Sequence, residues 1–232
     1  MAGKFTKIPE KTFKALQLEA GVLLKKFDPS SPTEPADEDI ICATTGGINP
    51  SCIATYSDKG EDVDNCPPNM MELKELDGWE CKLSTTSINI DEETIRLALG
   101  AADIDEETGA IKPRRKLKLT DFTDLWWVGD LADGGLVAAR LMNALSTGGF
   151  SLQTGKNSKG QMPLEFTGHV SIKDQDTVPM EFYVLQGDTG EEPKGGNVRA
   201  DKEKISGTYQ SEEEPETYDE MTESEVDEDE TL

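Results

Sequence analysis

The sequence predicts a mainly β fold with antiparallel strands and one helix, and three observations carry that expectation. Between Phe122 and Leu185 the chain concentrates its apolar and aromatic residues in FTDLWWVGDL, LMNALSTGGF and PLEFTGHVSIKDQDTVPMEFYVL, separated by short turns. Within that stretch Leu164, Phe166, Gly168, Val170 and Ile172 alternate with Glu165, Thr167, His169, Ser171 and Lys173, the period of a strand with one wet face. Val178, Met180, Phe182 and Val184 repeat the alternation after a turn at Asp174 to Thr177. No helix-length segment separates the two runs, so an antiparallel pair is the simplest reading.

In chain order, residues 1–14 are polar and Lys-rich and read as an arm. Leu16, Leu18, Ala20, Val22 and Leu24 alternate with polar residues and predict the first strand. The linker DPSSPTEPADED follows, its prolines at 29, 32 and 35 excluding helix and central strand. Ile40 to Thr45 is a short apolar segment ending at Gly46-Gly47, and Ser51 to Ser57 continues the same edge. Residues 58–77, with Pro67-Pro68 and Met70-Met71 but no period, read as a long excursion of the functional or disordered kind.

Trp79, Cys81 and Leu83 then alternate into the β-branched run Thr85, Thr86, Ile88 and Ile90, a long strand. Asp91-Glu92-Glu93 places negative charge where a helix begins, and Ile95, Ala98, Leu99 and Ala102 define its expected apolar face, with Gly100 as the stop. Leu136 to Leu145 fits helix propensity and strand alternation alike. Leu125 to Val128 is apolar on both faces, and adjacent tryptophans on a strand must point opposite ways. Phase groups Trp127 with Leu117, Leu119 and Leu125 in the core, together with Leu83, Phe166, Val170 and Phe182 from the neighbouring strands. Trp126, with Phe122 and Val128, is assigned to a second surface that meets another subunit or the helix near Ile95.

Charge and chemistry narrow the function classes. The chain of 232 residues has a net charge of −24, half of it in residues 211–232, which hold twelve acidic and no basic residues. Such a surface repels polyphosphate and anionic lipid, which argues against a grip on nucleic acid or membrane. Residues 188–232 carry too few apolar groups to offset the entropy of ordering and are expected to be a disordered tail. The four cysteines at 42, 52, 66 and 81 have no C-x-x-C pair and there is one histidine, so no zinc site is expected. Free thiols in a reducing compartment are the first reading of that spacing, and two disulfides the other.

GEDVDNCP and DIDEETG lack the spacing of an EF-hand and read as solvated loops. His169 has no nucleophile in a recognisable turn, and the glycine pairs lack a phosphate-cradling pattern. No catalytic, cofactor-binding or metal-binding residue is assigned, and the chain is read as a non-enzyme.

Six blocks in fixed order carry a family resemblance: LQLEAGVLL, ATTGGIN, GEDVDNCPPNMMELKELDGWECKLS, FTDLWWVGD, MNALSTGGFSLQT and EFTGHVSIKDQDTVPMEFYVL. From about Leu16 to Gly187 the chain resembles the major tail protein, or tail tube subunit, of long-tailed, siphovirus-type phages of Gram-positive and gut bacteria. The resemblance implies a β-sandwich or barrel of two packed antiparallel sheets over 15–187, with a flanking helix and Leu136 to Leu145 as a strand. It implies hexameric rings assembled in the host cytoplasm and stacked into a virion tube, contacts with tape measure and tail completion proteins, and DNA passing through the lumen without specific binding. Met70 and Met71 in the excursion join Phe122, Trp126 and Val128 as the expected contacts between subunits. Tube proteins of contractile injection machines share the fold, and a monomeric acidic module that captures a basic partner is the reading from a different class.

Overall fold

The strand Leu136–Ser146 is the member on which both halves of the fold are hydrogen bonded, and a single residue makes that possible. Asn143 takes φ +47°, a left-handed conformation that asparagine tolerates better than most residues. The strand bends there, so Leu136–Leu141 pair with one wing of the sheet and Leu145–Ser146 with the other.

The computed structural model describes residues 8–187. Among them nine strands form two antiparallel sheets, of seven and two strands, with two α-helices. The elements are α1 (Glu10–Lys14), β1 (Gln17–Leu24), β2 (Thr44–Asp58), β3 (Lys74–Ser87), α2 (Glu92–Leu99), β4 (Ala102–Asp105) and β5 (Ala110–Pro113). β6 (Thr123–Leu131), β7 (Leu136–Ser146), β8 (Met162–Thr167) and β9 (Met180–Leu185) follow. The large sheet runs β1-β6-β7-β8-β3-β2, with β9 also on β7, and β4 and β5 make the small hairpin. This is the mainly β fold with a flanking helix that the residue pattern predicts, and Leu136 to Leu145 is strand rather than helix.

One core cluster draws on both wings: Leu23 from β1, Leu125 from β6, Ala139 and Leu141 from β7, Leu83 from β3, and Leu164 and Phe166 from β8. Burying a Leu or Phe side chain contributes about 1.5–3 kcal/mol, so this interdigitated layer is the main source of stability. Leu83, Leu125 and Phe166 are fully buried, as the alternation predicts.

The helix α2 forms where charge and capping place it. The Asp91 carboxylate accepts hydrogen bonds from the Thr94 amide and hydroxyl, both at 2.8 Å, and Gly100 ends the helix with φ +70°. Its buried residues are Thr94 and Ala98, with Leu97 packed on the core, so the inward face is rotated from the expected Ile95, Ala98 and Leu99. The Ser146 hydroxyl donates to the Ala98 carbonyl at 2.6 Å and anchors the helix to β7 beyond its bend.

Several assignments are corrected. β8 ends at Thr167 rather than Lys173, because Gly168 turns inward against Leu141, where a Cβ would lie 2.8 Å from Leu141 Cδ1. The alternation past that point is incidental, and Val170, assigned to the core, is 49% exposed. β8 and β9 are not partners of each other, since both pair with β7 on either side of its bend. Phe182 lies opposite Ala139 on the core side of the sheet, yet β9 is an edge strand that the other wing does not cover, and Phe182 is 53% exposed. Leu117 and Leu119 are likewise exposed instead of sharing the core with Leu125. In β1 only Leu23 and Leu24 are fully buried, because a bulge with Glu19 and Gly21 at positive φ breaks the alternation.

The tryptophans do face opposite ways, but not with the expected consequence. Trp127 lies partly buried on the core side, where its indole N–H donates to the Ala20 carbonyl at 3.0 Å. A Cβ on Gly21 would fall 2.6 Å from that indole nitrogen, which is why a glycine stands there. Trp126, expected to meet another subunit or the helix near Ile95, meets neither in this chain, whose own residues bury it to 7% exposure. Phe27 and Ile40, at the two ends of the proline-rich linker, fold over it with Leu24 and Tyr183, and Phe27 meets the ring edge-on at 5.6 Å. Val128 packs in the same cluster, and Phe122 packs edge-on against His169 at 5.2 Å. The expected tail, 188–232, and residues 1–7 of the expected arm lie outside the described residues.

Candidate assembly surface

β2 and β3 pair without interruption from Thr44↔Ser87 to Asp58↔Lys74, apart from two register shifts. The third strand, β8, pairs with β3 only from Lys82 to Ser87. Among the described residues, the two strands have only each other for backbone pairing beyond Cys81, whose carbonyl still accepts from the Gly168 amide, and they leave the body as a two-stranded arm. At about 3.3 Å per residue, the seven residues Cys52 to Asp58 extend it by roughly 23 Å. The aperiodic excursion predicted over 58–77 is thus shorter, a tip of residues 59–73, and its last four residues already belong to β3.

Register assigns the arm's faces. Cys52 is opposite Cys81, Ala54 opposite Trp79, and Tyr56 opposite Leu76, all on the face that carries the buried Leu83 nearer the body. The core face thus continues into the arm after the opposing wing has ended, leaving Tyr56 at 60% exposure and Leu76 and Trp79 at 47% and 43%. Ile53 is exposed on the reverse face.

The tip is ordered by one carboxylate. Asp58 Oδ1 accepts from the Gly60 amide and Oδ2 from the Asn69 amide, each at 3.0 Å. These two backbone donors, more than the neighbouring Lys74, hold the Asp58 carboxyl below its usual range. Lys59 pairs with Glu75, and the Ser57 hydroxyl donates to Asp77 at 2.8 Å across the strands. Met70 and Met71, both predicted as contact residues, stand together at this tip, with Met71 80% exposed. The Cys66 thiol lies 3.5 Å from the Met70 sulfur.

The structure therefore separates the five predicted contact residues. Met70 and Met71 are on the arm, whereas Phe122, Trp126 and Val128 are occupied within the body. Tyr56, Leu76 and Trp79 are exposed apolar residues that the sequence pattern does not single out, since only the extent of β8 reveals that their strands run past the core. The other acidic loop that invited a metal reading is also used internally. Asp105 accepts from the Glu107 amide at 3.2 Å and from Lys112 at 3.1 Å, a turn held by its own carboxylate. Arg114, just after β5, is held as well, paired to the nearly buried Asp121 and lying 2.9 Å from Asp103. The chain matches no protein-family model, and no curated protein shows significant sequence similarity to it.

Proposed function

We propose that this protein is a self-assembling structural subunit, the tube-forming major tail protein of a long-tailed phage virion. The observation that carries the reading is the arm whose apolar face, with Tyr56, Leu76 and Trp79, continues the core face beyond the reach of the subunit's own second wing. An isolated two-stranded ribbon is marginal in water, and a contiguous exposed apolar face signals a contact surface. A neighbouring copy supplies the missing layer in a ring, as do rings above and below in a stack, and the methionines at the tip suit a surface that packs adaptably. The family resemblance points the same way and adds the hexameric ring, the tape measure and completion proteins as partners, and the lumen for DNA. A net charge of −24 accords with a wall along which DNA slides without adhering.

The test replaces residues 54–79 by an Asn-Gly turn joining Ile53 to Glu80. The full chain is expected to form rings or tubes by light scattering and negative-stain microscopy, and the shortened chain a folded monomer. A full-length chain that stays monomeric at high concentration overturns the reading and favours an acidic module that captures a basic partner. Tubes formed by the shortened chain overturn the role of the arm.

A further inference from the structure

At the root of the arm Cys52 and Cys81 are direct partners on adjacent antiparallel strands, and their sulfurs lie 3.3 Å apart. Cys81 is buried at the edge of the core, and Cys52 is half-buried beside it. The position is the first one past the end of the third strand, where the Gly168 amide, just after β8, still donates to the Cys81 carbonyl at 2.9 Å. Both sulfurs stand on the face that leads from the core to Trp79 and Tyr56. The other cysteines are placed differently: Cys42 is buried elsewhere in the core, and Cys66 sits at the tip against Met70.

We propose that Cys52 and Cys81 are an oxidisable dithiol, a modification site at which a cross-strand disulfide braces the arm where it leaves the body. Facing residues of an antiparallel pair have Cα atoms about 4.5–5.5 Å apart, within the span a disulfide bridges without moving the backbone. The more open Cys52 thiolate attacks a small-molecule disulfide such as oxidised glutathione, expelling one thiolate and forming a mixed disulfide. The Cys81 thiolate then attacks the Cys52 sulfur, expelling the second thiol. The two protein thiols are oxidised by two electrons, their protons pass to solvent or the departing thiols, and the small-molecule disulfide is reduced. Burial, and then the hydrogen bond with Cys52, pushes the Cys81 thiol up, which disfavours the thiolate that the second step uses. The bond closes residues 53–80 into a loop and prevents β2 from slipping along β3 where β8 no longer fixes the register.

The test uses the full chain, held native with excess oxidised glutathione until Cys66 is fully modified, then alkylated, digested without reduction and mapped by mass spectrometry. The expected product is an intrachain peptide pair joining Cys52 to Cys81, two hydrogens lighter than the dithiol. Amide exchange over 52–58 and 74–81 is expected to slow at least tenfold in the oxidised protein and to be restored by dithiothreitol. Cys52→Ser, at a half-exposed position that keeps the core intact, is expected to remove both effects and to melt like the reduced protein. Free Cys52 and Cys81 after that treatment, or a disulfide that joins either to another cysteine or another chain, overturns the proposal. A Cys52–Cys81 bond that leaves arm exchange unchanged overturns the bracing role.

Discussion

The Arg140 guanidinium lies over the Trp126 ring, 5.5 Å from its centroid, and the two residues are directly paired across β6 and β7. Arg140 also donates to Asp124 at 2.6 Å and to Glu181 at 3.3 Å, so one cation joins three strands and covers the tryptophan from the solvent side. Tyr183 completes the cover, its ring 5.7 Å from Trp126 and its hydroxyl donating to Glu181 at 2.6 Å. The surface expected to meet another subunit or the helix near Ile95 is a second cluster on the outer face of the sheet, covered by the chain's own residues.

Trp126→Ala should therefore cost about 3–5 kcal/mol of subunit stability, through lost burial and a cavity beneath Phe27. Trp127→Ala, at a partly buried site, should cost less, chiefly its packing and the bond to Ala20. Denaturant unfolding of the two variants checks the order, and a larger loss at Trp127 contradicts it.

Tyr56→Ser combined with Trp79→Ser removes exposed apolar area and should leave the melting temperature of the subunit within a few degrees of the parent. Association, followed by light scattering over a concentration series, should weaken by tenfold or more, since aromatics are frequent anchors of contact surfaces. A parallel loss of stability and association would instead mean that these side chains hold the arm itself together.

Acid should loosen α2 through its cap. Partial burial raises the Asp91 carboxyl, but the bonds from Thr94 and Asn89 outweigh it and hold the group below its usual range. A carboxyl depressed in the folded state contributes stability that is present above its unfolded value, about 3.9, and is lost as pH falls through the folded value. Asp91→Asn keeps a capping oxygen but loses the charge at the helix start, so it should destabilise by about 0.3–1 kcal/mol at pH 7, and its deficit should shrink below about pH 4. Thermal melts of both proteins at the two pH values measure this.

At the alkaline end, burial and the neighbouring Glu181 push the Tyr183 phenol up to about 12. A raised folded value means that its contribution is complete below the unfolded value of about 10 and is lost as pH rises toward 12. Absorbance titration should show a late component that is absent in Tyr183→Phe.

The parts of the fold readable from residues are those set by local physics. Leu164 and Phe166 alternate because one face of β8 is buried, and Asp91 to Gly100 carries both capping signals of α2. Adjacent tryptophans on a strand had to diverge, whatever covers them. What covers Trp126 was not readable, because Phe27 and Ile40 reach it from a linker about a hundred residues away in the chain, whose prolines gave no hint of packing. Val170 and Ile172 kept the apolar period after the strand had ended, where Gly168 meets Leu141 and the chain turns out. The arm was half legible: Met70 and Met71 mark its tip, but Trp79 and Leu83 belong to one unbroken alternation, and only the reach of β8 divides arm from core.

The bend at Asn143 has a kinetic meaning. Both wings hang on β7, and β3 must wait for β8, whose first residue lies about eighty positions further along the chain. Until residue 167 has been synthesised, the inner edge of β3 has no partner, and until residue 185 the same holds for the Leu136–Leu141 half of β7. Pairings of such sequence separation fold slowly, on the scale of milliseconds to seconds, because loop closure is paid before the contacts form. In a cell making many copies at once, nascent chains thus display open strand edges to one another during that interval, and correct folding competes directly with edge-to-edge capture between molecules.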